Sequence, residues 1–226
     1  MIYIFTFLLA FCSIVYELLL GQTLSAFLGN TVLRYSVTIG LYMFSMGIGS
    51  LFAEGRFVKH PIISLLTVEV ALTVLGGSSV MLLYFMDWAG VPALVFSIAA
   101  HSMIIVIGLL TGFEIPLLIE VKRLETGDAD NTVLGIDYLG AFLGTIVFAF
   151  LFYPIVGLVA TAIIVALINA VVGILLFTQK NKIDGTMMRP YKALIVAQSV
   201  LAVLLLLGLF NAGSISEFLT GLYLRV

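Results

Sequence analysis

Residues 2–28 read IYIFTFLLAFCSIVYELLLGQTLSAFL. One acid, Glu17, interrupts this apolar run, and no base does. A helix needs about 20 mostly apolar residues to cross the hydrocarbon of a bilayer, so the stretch is long enough to span. Six more runs of the same kind follow, over 33–53, 62–86, 91–119, 133–154, 155–177 and 191–209. They are far longer than the strands of a membrane barrel and do not alternate. The expected fold is therefore all-α, a polytopic membrane bundle of about seven transmembrane helices forming a single domain over 1–226. The first and fourth runs are overlong, which predicts tilting or bending. Pro116, close behind Glu114, is expected to break the fourth helix near its end. The fifth and sixth runs meet at Tyr153 and Pro154 with almost no loop, which predicts a tight hairpin. The tail, 211–226, reads as a short interfacial helix or as a truncated link to a further domain.

Composition agrees with this reading. Apolar residues make up 62% of the chain and charged residues 10%, against roughly 45–50% apolar in a soluble domain. Mean hydropathy is +1.26. The net charge of −2 and the lack of a basic stripe argue against nucleic acid as a partner. The lone cysteine, Cys12, excludes an intrachain disulfide and a cysteine metal cage, and its apolar surroundings predict a packed core thiol. The first residues carry no basic region and no small-residue cleavage site, so the first helix is expected to be retained.

Basic residues in short loops set the expected orientation. Arg56 and Lys59 follow the second run, and Lys122 and Arg123 follow the fourth. Lys180, Lys182, Arg189 and Lys192 surround the sixth-to-seventh loop, while the alternate loops hold only Arg34. The expected location is thus the plasma membrane of a prokaryote with the N-terminus cytoplasmic. Tyr84, Trp88 and Tyr153 then fall at the outer boundary as an aromatic belt.

Within the spans, Glu17, Glu69, Glu114 and Asp137 carry the chemistry. A charged group in hydrocarbon costs at least about 2.5–3.5 kcal/mol, so such residues face the bundle interior, find a partner or bind something. They stand on small, polar faces: Thr6, Ala10, Ser13, Glu17, Gly21 and Ser25; Glu69, Thr73 and Gly76; and Asp137, Gly140, Ala141, Gly144 and Thr145. The second run offers Ser36, Gly40, Met43, Gly47 and Ser50. Such stripes let helix backbones approach closely, so simple packing seams are the plainest reading. With a rise of about 1.5 Å per residue, Glu69, Glu114 and Asp137 lie roughly 10, 8 and 6 Å from the cytoplasmic ends of their helices. These three are expected to share one level, with Glu17 further out. Arg34 and Lys192 stand at the very ends of their runs, and no lysine or arginine lies deeper in the spans to neutralise the acids. Either some keep their protons or a cation joins them.

Other candidates carry less. His101 reads as a satisfied buried histidine. No histidine or cysteine stands at zinc-ligand spacing. Asp128 and Asp130 read as a solvated loop with a helix cap at Asp130 or Asn131. There is no P-loop and no GxGxxG, and no cofactor is expected.

Four segments resemble the membrane domain of membrane-integrated spermidine synthases. Residues 16–30 (YELLLGQTLSAFLGN) are similar to its opening, and 46–50 (MGIGS), 112–118 (GFEIPLL) and 137–144 (DYLGAFLG) follow in order. The resemblance spans about 16–157 and implies that Glu17, Glu114 and Asp137 belong to family motifs. Glu69 falls in none of them. That family appends a Rossmann-like domain with a glycine-rich donor loop and catalytic acids, and these residues have no counterpart here. The resemblance therefore implies no aminopropyl transfer by these 226 residues alone, and either a stand-alone membrane module or a partner of a separate catalytic chain. A fainter likeness, at 49–56 (GSLFAEGR), is to the second-to-third loop of major facilitator transporters.

Three functions are compatible with these features. The first is a non-enzymatic membrane module that binds a small cation such as a polyamine at Glu69, Glu114 and Asp137, extended outward by Glu17. The second is a scaffold whose small-residue seams hold a partner membrane protein or a separate catalytic chain. The third is a small-molecule transporter.

Overall fold

The structure is a computed structural model that describes residues 1–53, 55, 57–127, 132–182 and 187–213. Glu54 and Arg56 of the expected loop motif lie outside the described residues, as do Asp128, Asp130, Asn131 and the tail beyond 213. Among the described residues the fold is all-helical. The helices are α1 (Ile2–Leu28), α2 (Thr31–Ala53), α3 (Pro61–Trp88), α4 (Ala93–Thr126), α5 (Thr132–Val147), α6 (Leu158–Leu175) and α7 (Met188–Phe210). A π-helical segment, Phe148–Val156, prolongs α5, and a 3₁₀ segment, Leu176–Lys182, prolongs α6. Seven helical stretches are long and apolar enough to cross a membrane, by length and composition.

Two expectations about proline are corrected. Pro116 lies inside α4, which runs on to Thr126. One proline removes one backbone donor, and neighbouring helices can absorb that loss. Here α4 is pressed along α2 on the approach to Pro116. The fifth-to-sixth junction is not at Pro154 either. Pro154 sits inside the π-helical segment, and the chain reverses at Gly157, whose φ of 84° favours glycine. The Gly157 N–H caps the segment by donating to the Phe152 carbonyl at 2.8 Å.

Helix α1 is the axis of the molecule, packed against α2, α3, α4, α5 and α6. Its Leu9, Val15, Tyr16, Leu19 and Leu20 are fully buried, and Cys12 is the expected core thiol, its Sγ 3.7 Å from the Val165 carbonyl. Two glycine seams set the helices around it. On α5, a Cβ at Gly140 would strike the Phe7 carbonyl of α1, and one at Gly144 would strike Ile14 and the Phe11 carbonyl. On α2 and α4, a Cβ at Gly49 would strike the Leu109 carbonyl, and one at Gly112 the Met46 carbonyl. Only glycine permits this backbone contact. The expected α2 stripe does not pack: Gly40, Met43, Gly47 and Ser50 are exposed, and nothing lies within 4 Å of a Cβ placed at Gly40 or Gly47.

Candidate functional site

The two seams place three acids around one hollow. Glu17 comes from α1, Glu114 from α4 just past Gly112, and Asp137 from α5 one turn before Gly140. All three line a cavity of about 130 Å³. Its remaining walls include Ser13, Thr111 and the apolar side chains of Ala10, Ile14, Met46, Ile115 and Ala141. From Ala10 to Glu17 the lining runs roughly 10 Å along α1, at about 1.5 Å per residue. Burial deepens inward: Asp137 is half-buried, Glu17 is 8% exposed and Glu114 3%. Tyr138, which also lines the hollow, is 73% exposed. It marks the mouth, on the side where α4 and α5 barely touch.

Glu69 does not join them at this hollow. It is fully buried on α3, and neither carboxyl oxygen has a hydrogen-bond partner. Glu114 stands between the two regions, interacting electrostatically with Glu69 on one side and Asp137 on the other. Its Oε1 is buried and without a partner. Glu114 thus interacts with both other members of the expected trio, and Glu69 alone stays outside the hollow. Helix α4 extends seven residues past 119, which sets Glu114 roughly 10 Å deeper, and it shares the hollow with Glu17.

No salt bridge among the described residues reaches Glu17, Glu69, Glu114 or Asp137; the ion pairs Lys122–Glu125 at 4.0 Å and Arg123–Glu120 at 3.7 Å lie at the far end of α4. Hydroxyls brace the surroundings. Tyr42 of α2 donates to the Ser13 carbonyl at 3.0 Å. Beyond Glu17, Tyr35 donates to Gln22 Oε1 and Gln22 Nε2 donates to Tyr153, each at 2.7 Å, which ties α1, α2 and the π-helical segment together. Among the described residues no group of three or more His, Cys, Asp or Glu side chains could hold a metal ion. His101 is half-buried and its Nδ1 lies 2.6 Å from the Ser97 carbonyl, as a satisfied histidine should.

A second polar centre was missed in the sequence. Thr73 of α3, Asn169 of α6 and Gln198 of α7 are buried together. Gln198 Nε2 donates to Thr73 Oγ1 at 3.0 Å and to the Asn169 carbonyl at 3.3 Å. Asn169 Nδ2 and Oδ1 and Gln198 Oε1 have no partner. An amide in the middle of an apolar run is the signal that would have found them.

The architecture defines an all-helical bundle with an acid-lined hollow at its axis. Comparison with known proteins places it beside enzymes of polyamine metabolism. The polyamine aminopropyltransferase of Leptospira interrogans is 35% identical over 212 residues, covering 91% of this chain and 40% of the relative. That of Oceanobacillus iheyensis is 35% identical over 207 residues, covering 90% and 39%. Polyamine aminopropyltransferase 1 of Streptomyces coelicolor is 38% identical over 175 residues, covering 75% and 32%. These names support the spermidine synthase-like kinship that the motifs implied. The chain spans about two-fifths of the length of the first two relatives and a third of the last. No protein-family model matches the chain. No solved structure matches it.

Proposed function

We propose that the chain is a multi-pass membrane module that holds a small organic cation of the polyamine class at Glu17, Glu114 and Asp137. One observation carries this reading. Glu114 lines a hollow shared with two further acids and reached by no described base, and one of its carboxyl oxygens is buried without a partner. A buried carboxylate without a partner is costly, and an ammonium group supplies the missing partner. The ligand class rests on the names of the relatives and on shape. The acids are spread along the hollow with apolar walls between them, which suits charges joined by methylenes better than a compact metal ion. At about 30 Å³ per water, 130 Å³ is room for an ammonium end and a short stretch of chain. In this reading the bilayer surrounds the bundle, in the plasma membrane of a prokaryote with the N-terminus cytoplasmic, in keeping with the basic loops.

The test is calorimetric titration of the purified chain with spermidine. Wild type should bind, and Glu114→Gln should bind at least tenfold more weakly. Equal affinity would remove Glu114 from the site.

A second reading is favoured by the outward stripe of α2. Gly40, Met43, Gly47 and Ser50 face away from the bundle, and small residues of this kind suit close docking of another helix. Here the chain is a scaffold for a partner membrane protein or a separate catalytic chain. A stoichiometric partner in purification, together with no spermidine binding, would replace the first reading with this one.

A further inference from the structure

The hollow and Glu69 differ in one respect: the hollow has a mouth and Glu69 has none. Glu69 is 0% exposed, and both its oxygens are buried and unpartnered. A cation cannot reach it through the protein as packed. Glu114 is the group that belongs to both worlds, since it lines the hollow and interacts with Glu69 behind it.

The groups that interact with Glu114 are known from every helix around it. Cys12 and Tyr16 reach it from α1, Tyr42 from α2, Glu69 from α3 and Asp137 from α5. Glu17 lines the same hollow from α1. All of these are acids or weak acids, and among the described residues none is a base. A dry interior tolerates little net charge. Two fillings keep Glu114 neutral overall, a proton on the carboxyl or an ammonium against the carboxylate.

We propose that the two fillings exclude each other at Glu114, so that the hollow exchanges one proton for each cation it takes up. This inference rests on the cation-binding reading of the same site. The balance is simple. The O–H bond of the Glu114 carboxyl breaks, the proton leaves to water through the mouth beside Asp137, and the carboxylate pairs with the incoming ammonium. No electrons move, and the net charge at Glu114 is the same before and after, while the other ammonium groups of the cation face Glu17 and Asp137. Glu69, closed to the cation, keeps a proton throughout and takes no part in the exchange.

Three measurements decide it. Calorimetry with spermidine in two buffers of different ionisation enthalpy counts the protons released, and wild type should release about one per spermidine bound. Glu69→Gln should leave that number unchanged, and Glu114→Gln should bring it close to zero in whatever binding remains. The second is the pH series. Between pH 6 and 8 amines of this kind keep their charge, so affinity should tighten with rising pH, by up to about tenfold per unit for one linked proton. The third needs no ligand. Infrared spectra of the cation-free chain should show protonated-carboxyl carbonyl absorption that Glu114→Gln reduces, with the share from Glu69 remaining until Glu69→Gln removes it. Spermidine binding without proton release, or carboxyl absorption that Glu114→Gln leaves unchanged, would overturn the exchange and leave the binding reading standing. No spermidine binding at all would overturn both.

Discussion

Glu17, Glu114 and Asp137 meet at a cavity with a mouth, whereas Thr73, Asn169 and Gln198 meet in a cluster with almost no exposure. Both are polar centres inside an apolar bundle, and each leaves buried atoms without a partner. The difference lies in what can complete them. The amide cluster is neutral and partly satisfied within itself, and it joins α7 to α3 and α6 through a single Gln198 nitrogen. Gln198 and Tyr191 are the two residues that α7 buries. The acids have no such internal remedy, since a carboxylate does not hydrogen-bond to another carboxylate. Their partner has to come from outside or be a proton. On the proposed reading the acids bind and the amides anchor.

The largest expected effect breaks the acid side. Glu114→Gln removes the deepest charge of the hollow while nearly preserving its shape. A hydrogen bond to a charged group contributes about 1.5–3 kcal/mol, so spermidine affinity should fall roughly 10- to 100-fold, with thermal stability in detergent unchanged or raised. A loss of stability with no loss of affinity would make Glu114 a structural acid and erase the contrast with the amides.

Next comes the amide side. Gln198→Met keeps the volume and removes the bonds to the Thr73 hydroxyl and the Asn169 backbone carbonyl, while the unpartnered Asn169 amide stays buried. The expected cost is about 1–3 kcal/mol of stability, read by thermal unfolding, with spermidine affinity within twofold of wild type. A large loss of affinity would show that the two centres act as one.

Asp137→Asn gives a smaller effect on the first side. Asp137 stands at the half-buried end of the hollow, and ion pairs near solvent are worth about 0.2–1 kcal/mol. Affinity should fall two- to fivefold. A drop equal to that of Glu114→Gln would mean that the mouth is not where Tyr138 places it.

The two centres were not equally legible. Acids in apolar runs declare themselves, so Glu17, Glu114 and Asp137 stood out before any coordinates, and the Gly140–Gly144 spacing announced the seam that carries Asp137 to α1. Grouping them correctly was harder. Depth was counted from 119, and the charged residues Glu120, Lys122, Arg123 and Glu125 disguised the last turns of α4. With α4 running to Thr126, Glu114 is deep enough to share the hollow with Glu17, while Glu69 meets Glu114 from behind, outside the hollow. The α2 stripe failed for a rotational reason. Ser36, Gly40, Met43 and Gly47 form a plausible small face, but the face that packs holds Thr38, Tyr42, Ser45 and Gly49. The two are offset by two residues, about 200° around a helix of 3.6 residues per turn. Small residues line both, and nothing in one sequence says which faces lipid. Asn169 and Gln198 escaped because neutral amides carry no charge to account for.

The smallest expected effect is the sharpest test of the amide side. Replacing both amides, as Asn169→Leu with Gln198→Met, removes the bond to Thr73 and also the three unpartnered atoms, Asn169 Nδ2 and Oδ1 and Gln198 Oε1. Exchanging both amides for apolar groups of similar shape can be nearly neutral, because no unpartnered amide is left buried. Thr73 can then turn its hydroxyl to the carbonyl one turn earlier on α3, as Thr6 and Thr23 do on α1. The double variant should therefore lie within about 0.5 kcal/mol of wild type, above the single Gln198→Met, with a coupling energy of opposite sign to the single losses. If it instead costs as much as the two single variants together, the unpartnered atoms are completed by bound water, and the amide centre depends on an outside molecule as much as the acid hollow does.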